Sequence, residues 1–206
     1  MKLLSFSETK NLLEKYGLSL LEAGLFSEVE KALLFARKIK LPVVLKVWSS
    51  QIIHRTELGG VIRIESEQEF RQGFFRLMKI KNAEGVLVQK MGRGKEVALG
   101  MKRDDQFGPV LMFGMGGVFI EILQDISFRI CPVSEKQALS MIQEIKGYPI
   151  LKGQRGEKPV DVKALTKIIS QLSKISLKEK SIKEIDLNPV IVNEGGAWIA
   201  DFKFFI

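Results

Sequence analysis

Histidine and cysteine are nearly missing from this chain of 206 residues, which has one of each. A single Cys131 excludes a disulfide within the chain and fits a reducing cytosol. One histidine and one cysteine far apart do not make a transition-metal site. No run comes near the roughly 20 apolar residues that span a bilayer. Residues 1–7 reach Glu8 and Lys10 without a long apolar stretch, so neither a signal peptide nor a membrane segment is expected, and the expected location is cytoplasmic. Internal repeats and low-complexity segments are absent. The net charge of +8 suits an anionic partner, either nucleotide phosphates or an acidic subunit. The basic residues are scattered, with no dense run and no interleaved aromatics, so nucleic acid is not expected.

What is present is an alternation of helix and strand patterns. Ser7 can cap a helix over residues 7–16 that Gly17 ends. Ser27-Glu28-Val29-Glu30 and Ser66-Glu67-Gln68-Glu69 have the capping-box spacing, each opening a helix. Residues 42–48 and 61–64 read as strands. Residues 85–91, 96–102, 110–113, 118–123 and 127–133 form a series of short extended runs, which argues for a largely antiparallel sheet. Ser134 and Gln137 open a further helix, and residues 160–175 read as another. Residues 182–192 and 197–202 read as a closing hairpin around Asn193-Glu194-Gly195-Gly196.

Three places can carry chemistry. Lys46 sits inside the apolar run Val43-Val44-Leu45-Lys46-Val47, where it is either an edge lysine reaching for water or a point charge on phosphate. His54 lies in the polar loop that closes on Gly59-Gly60. It is either an idle surface histidine or a nucleophile, since neutral imidazole can take a phosphoryl group covalently. Thr56 and the amides near Gly59 and Gly60 can then form an anion nest, and Glu57 can accept the second ring N–H. In Glu184-Ile185-Asp186-Leu187-Asn188-Pro189 the polar groups alternate and share one face of a strand. With Asp201 on the other arm of the hairpin they are hard oxygen donors suited to Mg²⁺, or else a solvated face. Gly114-Met115-Gly116-Gly117 lacks the ending of a P-loop and reads by itself as a tight turn.

These stretches together resemble the beta subunit of ADP-forming acetyl-CoA synthetases, the NDP-forming acyl-CoA ligases. The motifs that carry the likeness include residues 42–47, 53–61, Gly94-Lys95-Glu96-Val97, residues 100–104, 106–109, 112–119, 125–129, 155–159 and 184–189. The resemblance implies an α+β ATP-grasp fold, two lobes with antiparallel sheets flanked by helices. The expected division of residues 1–206 is an N-terminal lobe over about 20–85 and a C-terminal lobe over 86–206, with a helix in 1–19 packing on the latter. It implies an acetate–CoA ligase of the ADP-forming type, which interconverts acyl-CoA, ADP and phosphate with free acid, ATP and CoA. Such a chain is active only with a CoA-binding alpha subunit, in an assembly of two alpha and two beta chains. His54 then relays phosphoryl to ADP, assisted by Glu57. Lys46 meets the nucleotide phosphates, Val88, Gln89, Lys90 and Met91 follow the adenine, and Glu96, Gly116 and Gly117 complete the nucleotide site. Asn188 and Asp201 hold Mg²⁺, with Asp186 close by. The alternatives are a succinyl-CoA-type ligase subunit, against which a second histidine speaks, and a nucleotide-binding regulatory module without turnover.

Overall fold

A computed structural model describes residues 1–52, 55–117, 125–154 and 156–206. The chain forms two compact units, Leu21–Met91 and Met1–Leu20 with Gly92–Ile206. The division falls after Met91 rather than near residue 85. Residues Gly85–Lys90 are a strand bonded into the middle of the smaller unit's sheet.

The smaller unit runs β1 (Ala23–Phe26), α1 (Val29–Ile39), β2 (Val43–Trp48), β3 (Val61–Ile64), α2 (Glu67–Met78) and β4 (Gly85–Lys90). Its sheet has the order β1-β4-β2-β3, every pair antiparallel. Val43, Leu45 and Val47 alternate along β2 into a core with Val86 and Val88. Ala32, Leu33 and Ala36 meet them from α1, and Phe70, Phe74 and Leu77 from α2. Gly73 lets α2 sit close on the sheet, for a Cβ there would lie 3.0 Å from Ile64 Cδ1. The capping box expected at Ser27 does not form. Glu28 is the N-cap, makes no side-chain cap bond, and pairs with Lys31 instead. At Ser66 the hydroxyl caps Glu69 N as expected, but the Glu69 carboxylate takes Glu65 N.

The larger unit contains α3 (Phe6–Lys15), β5 (Lys95–Asp104), β6 (Gly108–Met115), β7 (Ile126–Ile130), α4 (Glu135–Glu144), α5 (Tyr148–Leu151) and α6 (Val162–Lys178). It closes with β8 (Glu184–Asn193), β9 (Gly196–Ile199) and β10 (Lys203–Phe205). Its sheet has the order β10-β8-β5-β6-β7, with β9 also on β8, and all of these ladders are antiparallel. One face is apolar: Leu99, Met101, Leu111, Phe113, Ile185 and Leu187 are buried, with Met141, Ile142, Leu165, Ile169 and Leu172 of the helices. The other face carries a cross-strand row, Lys203, Asp186, Gly100, Met112 and Phe128.

Helix α3 starts one turn-position earlier than expected, because Ser5 and Glu8 form the capping box rather than Ser7. The box at Ser134 and Gln137 forms as expected. Asp161 caps α6 and moves it to Val162–Lys178. The extended run expected over 118–123 lies outside the described residues. No helix among the described residues is long and apolar enough to cross a membrane.

Candidate functional site

On the larger unit the oxygen donors are arranged by β8. Its ladder with β5 steps from Val97↔Val190 to Leu99↔Leu187, so Asn188 and Pro189 share the position opposite Ala98. That bulge breaks the pleat, and bulges re-aim side chains in this way. On its other edge β8 pairs with β9 (Val190↔Ile199) and with β10 (Asp186↔Lys203) in one continuous register. Asp201, between those two strands, therefore falls opposite Asn188. Ala200 N and Asp201 N both donate to Pro189 O, at 3.0 and 3.2 Å, which fixes the crossing. Asn188 is exposed and Asp201 half-buried.

Asp186 lies one alternation away and is held at 3.2 Å by Lys203 Nζ. It is thus less open to a cation than the other two. Among the described residues no group of three or more His, Cys, Asp or Glu is placed to hold a metal. One carboxylate and one amide oxygen fit Mg²⁺, which keeps several waters and takes phosphate oxygens as its remaining ligands. They would not make a dedicated protein cage.

Glu96, Gly116 and Gly117 come together beside β5. Gly116 N donates to Glu96 O at 2.8 Å. A Cβ on Gly116 would lie 3.0 Å from Glu96 C, so the backbones touch. Gly117 follows with φ +63°, and its missing Cβ would stand 3.5 Å from Glu96 Oε2. The glycine pair thus sets the end of β6 against the Glu96 backbone, with the carboxylate alongside. The residues that follow Gly117, up to 124, lie outside the described residues.

The smaller unit bears on one of the two readings of its lysine. β2 lies between β4 and β3, so Lys46 is on an interior strand and only 7% exposed. An edge lysine reaching past the end of a sheet is excluded. Lys46 pairs with Leu87, and Val44 pairs with Gln89. By alternation Lys46 and Gln89 share the sheet face opposite the helices. Gln89 is 2% exposed and its buried Nε2 has no hydrogen-bond partner among the described residues. A buried donor left this way costs about 1–3 kcal/mol, so the face fits a ligand with an acceptor. Val88 points the other way, into the core; Lys90 is exposed and Met91 half-buried.

His54 lies outside the described residues, so its geometry is not part of this site. Glu57 is exposed, in the turn that follows. The anion nest expected at Gly59 and Gly60 is not available. Gly59 N donates to Thr56 O at 3.0 Å and Gly60 N to Arg55 O at 2.8 Å, so both amides are used to close the turn. Contacts that the sequence pattern did not point to surround this loop. Arg55 is 4% exposed, its guanidinium 4.6 Å from the Trp48 ring centroid. Glu84 Oε1 accepts Ser50 N at 2.8 Å and Ser50 Oγ at 2.5 Å. Hydrogen bonds from the Ser50 hydroxyl, then its amide, hold the Glu84 carboxyl below the usual carboxylate range, with a smaller contribution from Ser49. A buried arginine in a polar loop leaves no periodic signal.

The family of ATP-grasp domains matches residues 1–206. The chain is 43% identical over 208 residues to the acetate–CoA ligase [ADP-forming] I subunit beta of Pyrococcus furiosus, covering 97% of this chain and 90% of that one. It is 44% identical over 203 residues to the acetate–CoA ligase [ADP-forming] I of Archaeoglobus fulgidus, covering 95% of this chain but spanning only 30% of that longer relative. Among solved structures it superposes on the dinucleotide-forming acetyl-coenzyme A synthetase 1 of Ca. Korarchaeum cryptofilum in complex with coenzyme A, Ca-AMPCP and HgCl+. That match has a TM-score of 0.92 and 38% identity, covering 100% of this chain and 93% of the other. The same protein is recorded with its phosphohistidine segment phosphorylated in the site I orientation (TM-score 0.87, 39% identity, 99% and 93% covered). It is also recorded with Mg-AMPPCP and that segment pointing towards the nucleotide-binding site (TM-score 0.86, 37% identity, 100% and 93% covered).

Proposed function

The chain belongs to the ATP-grasp domain family, alongside the beta subunits of ADP-forming acetate–CoA ligases, and from that membership we propose that it is the nucleotide-binding subunit of a cytoplasmic acyl-CoA ligase. It passes phosphoryl between a phosphohistidine and ADP, while a CoA-binding alpha subunit handles the acyl group; the assembly holds two copies of each. The observation that carries the reading is the facing pair Asn188 and Asp201, brought together by the single register of β9 and β10 along β8.

His54 is the relay. ADP's terminal phosphate oxygen attacks phosphorus, the O–P bond forms as the N–P bond breaks, and the imidazole nitrogen keeps the electron pair. Such transfers depend on positioning and charge neutralisation more than on covalent work by the protein. Lys46 brings a fixed positive charge on an interior strand to the phosphates, and Glu57 orients the imidazole. Gln89 offers its buried amide to the base, beside Val88, Lys90 and Met91. Glu96, Gly116 and Gly117 line the nucleotide on the larger unit. Asn188 and Asp201 would hold Mg²⁺, which supplies charge neutralisation at the phosphates; Asp186, paired with Lys203, stands behind them.

The test is labelling by ATP carrying a radioactive γ-phosphate, with the alpha subunit present. Acid-labile, Mg²⁺-dependent label is expected on this chain and is lost in His54→Ala. Label that survives the substitution overturns the relay.

A further inference from the structure

We propose that the exposed lysine face of α6 is a docking surface for an acidic segment of the CoA-binding alpha subunit. The proposal rests on the reading of the chain as one subunit of two, and the face lies wholly within the larger unit.

Helix α6 carries no Asp or Glu anywhere in Val162–Lys178. Lys163, Lys167, Lys174 and Lys178 are all exposed. At about 100° per residue they fall within about 60° of arc, in a line about 22 Å long. Lys163 with Lys167, and Lys174 with Lys178, are like charges at i,i+4, which destabilise a helix. Lys163 also stands in the first turn, which has no acid, and there the helix dipole disfavours a cation. Other helices balance their charges. Lys10 meets Glu14 within α3, Arg37 and Glu30 of α1 pair with Glu67 and Arg71 of α2, and Glu144 of α4 pairs with Arg129. Among the described residues none of the four lysines of α6 makes an ion pair. Glu179, just past its end, is taken by Lys15 and Tyr16. The helix thus holds a line of like charge at a cost to its own stability.

Two hollows flank this line. Tyr16, Lys174 and Lys178 help to line one, beside the end of α3. Ser19, Lys167 and Trp198 help to line the other, beside β9. Tyr16 and Trp198 are half-buried, so each leaves part of an aromatic surface next to the lysines. Half-exposed aromatics bordered by charge suit a polypeptide laid along the helix. Nucleic acid fits less well, since the face has no arginine to take phosphate oxygens bidentately. A membrane also fits less well. Basic helices that enter lipid present a broad apolar face beside the charges, whereas Leu177 is the one large apolar side chain of α6 that is exposed. Carboxylates brought by a partner would relieve the repulsion along the line. Charge pairs of this exposed kind act mainly on the rate of encounter and on register, and the net charge of +8 draws an acidic partner in the same direction.

The experiment measures association of the full chain with its alpha subunit, as a rate and as a Kd. The parent is compared with Lys167→Gln plus Lys174→Gln and with Lys167→Glu plus Lys174→Glu. The control is Lys79→Gln plus Lys81→Gln, an equal loss of charge at exposed positions of the smaller unit. At low salt the Gln pair on α6 is expected to slow association and raise Kd about tenfold, and the Glu pair to do more. The control stays within about twofold of the parent. The differences shrink at a salt concentration of about 1 M, where the Debye length is about 3 Å. The melting temperature of the isolated chain does not fall in the Gln pair, because the substitutions relieve like-charge repulsion. A fall would make the face a structural one and overturns the proposal. Unchanged association in both α6 variants overturns it, and so does an equal loss in the control, which would assign the effect to net charge. Loss of binding to RNA or to anionic vesicles, with alpha association kept, assigns the face to another partner and overturns it as well. A parent chain that binds no alpha subunit is a different result: it removes the subunit reading, and the docking proposal with it.

Discussion

At the scale of single residues, the arrangement separates three acidic or amide groups that look equivalent in the pattern 184–189. Asp201 faces Asn188 across β8, while Asp186 is engaged by Lys203. Asp201→Asn is therefore expected to lower Mg-nucleotide affinity about tenfold or more, and Asp186→Asn by less, since a charge-assisted contact is worth about 1.5–3 kcal/mol and every 1.4 kcal/mol is a factor of ten. Titration calorimetry with and without Mg²⁺ decides; equal losses would place Asp186 among the ligands. Lys46 was ambiguous as a letter in an apolar run, because residues 43–47 do not say which strands flank them. Only the placement of β2 between β4 and β3 excludes the edge reading.

At the scale of elements, the helix and strand patterns were largely readable, and the misses share a cause. β1 is four residues, Ala-Gly-Leu-Phe, with little strand pattern of its own; it is a strand because Ala23 to Phe26 pair with β4. Ser27 has the letters of a capping box, yet α1 begins two residues later and leaves the hydroxyl without that role. Helix α3 is tied to the end of α6 through Glu179, which meets Lys15 Nζ at 2.7 Å and Tyr16 Oη at 2.8 Å. The hydrogen bond from Lys15, then that from Tyr16, holds the Glu179 carboxyl below the usual carboxylate range. A depressed carboxylate contributes stability above its unfolded pKa of about 4.3 and loses it as pH falls through the folded value. Glu179→Gln should thus lower the melting temperature near neutral pH and narrow the gap to the parent as acid is added. A gap that stays constant down to the acid limb would assign the effect to packing.

At the scale of the whole molecule, each of the two units has its own sheet and its own candidate groups: Lys46 and Gln89 belong to the smaller unit, Glu96, Asn188 and Asp201 to the larger. The chain spans nearly all of one relative named as a beta subunit and 30% of a longer one named as an acetate–CoA ligase. In the proposed reading, the remaining steps fall to the CoA-binding alpha subunit. The chain alone is expected to make no ATP from acetyl-CoA, ADP and phosphate, and to do so once the alpha subunit is added, as followed by a coupled ATP assay. Turnover by the isolated chain would contradict that division.

Helix and strand periodicity, capping letters and the motifs around Lys46, His54 and residues 184–189 were sufficient to reach an α+β fold, its family and the kinds of residue in the site. These depend on local spacing, which a linear chain displays. Three things depended on distant parts of the chain: the interior position of Lys46, the facing of Asn188 and Asp201 through the β8 bulge, and the engagement of Asp186 by Lys203. Each arises from strand order, register or burial. Such properties come from which segments bury their apolar faces together, and they leave no period in the sequence. The same cause turned the glycine pair after Glu57 from an expected anion nest into a closed turn, whose amides are taken up by its own carbonyls.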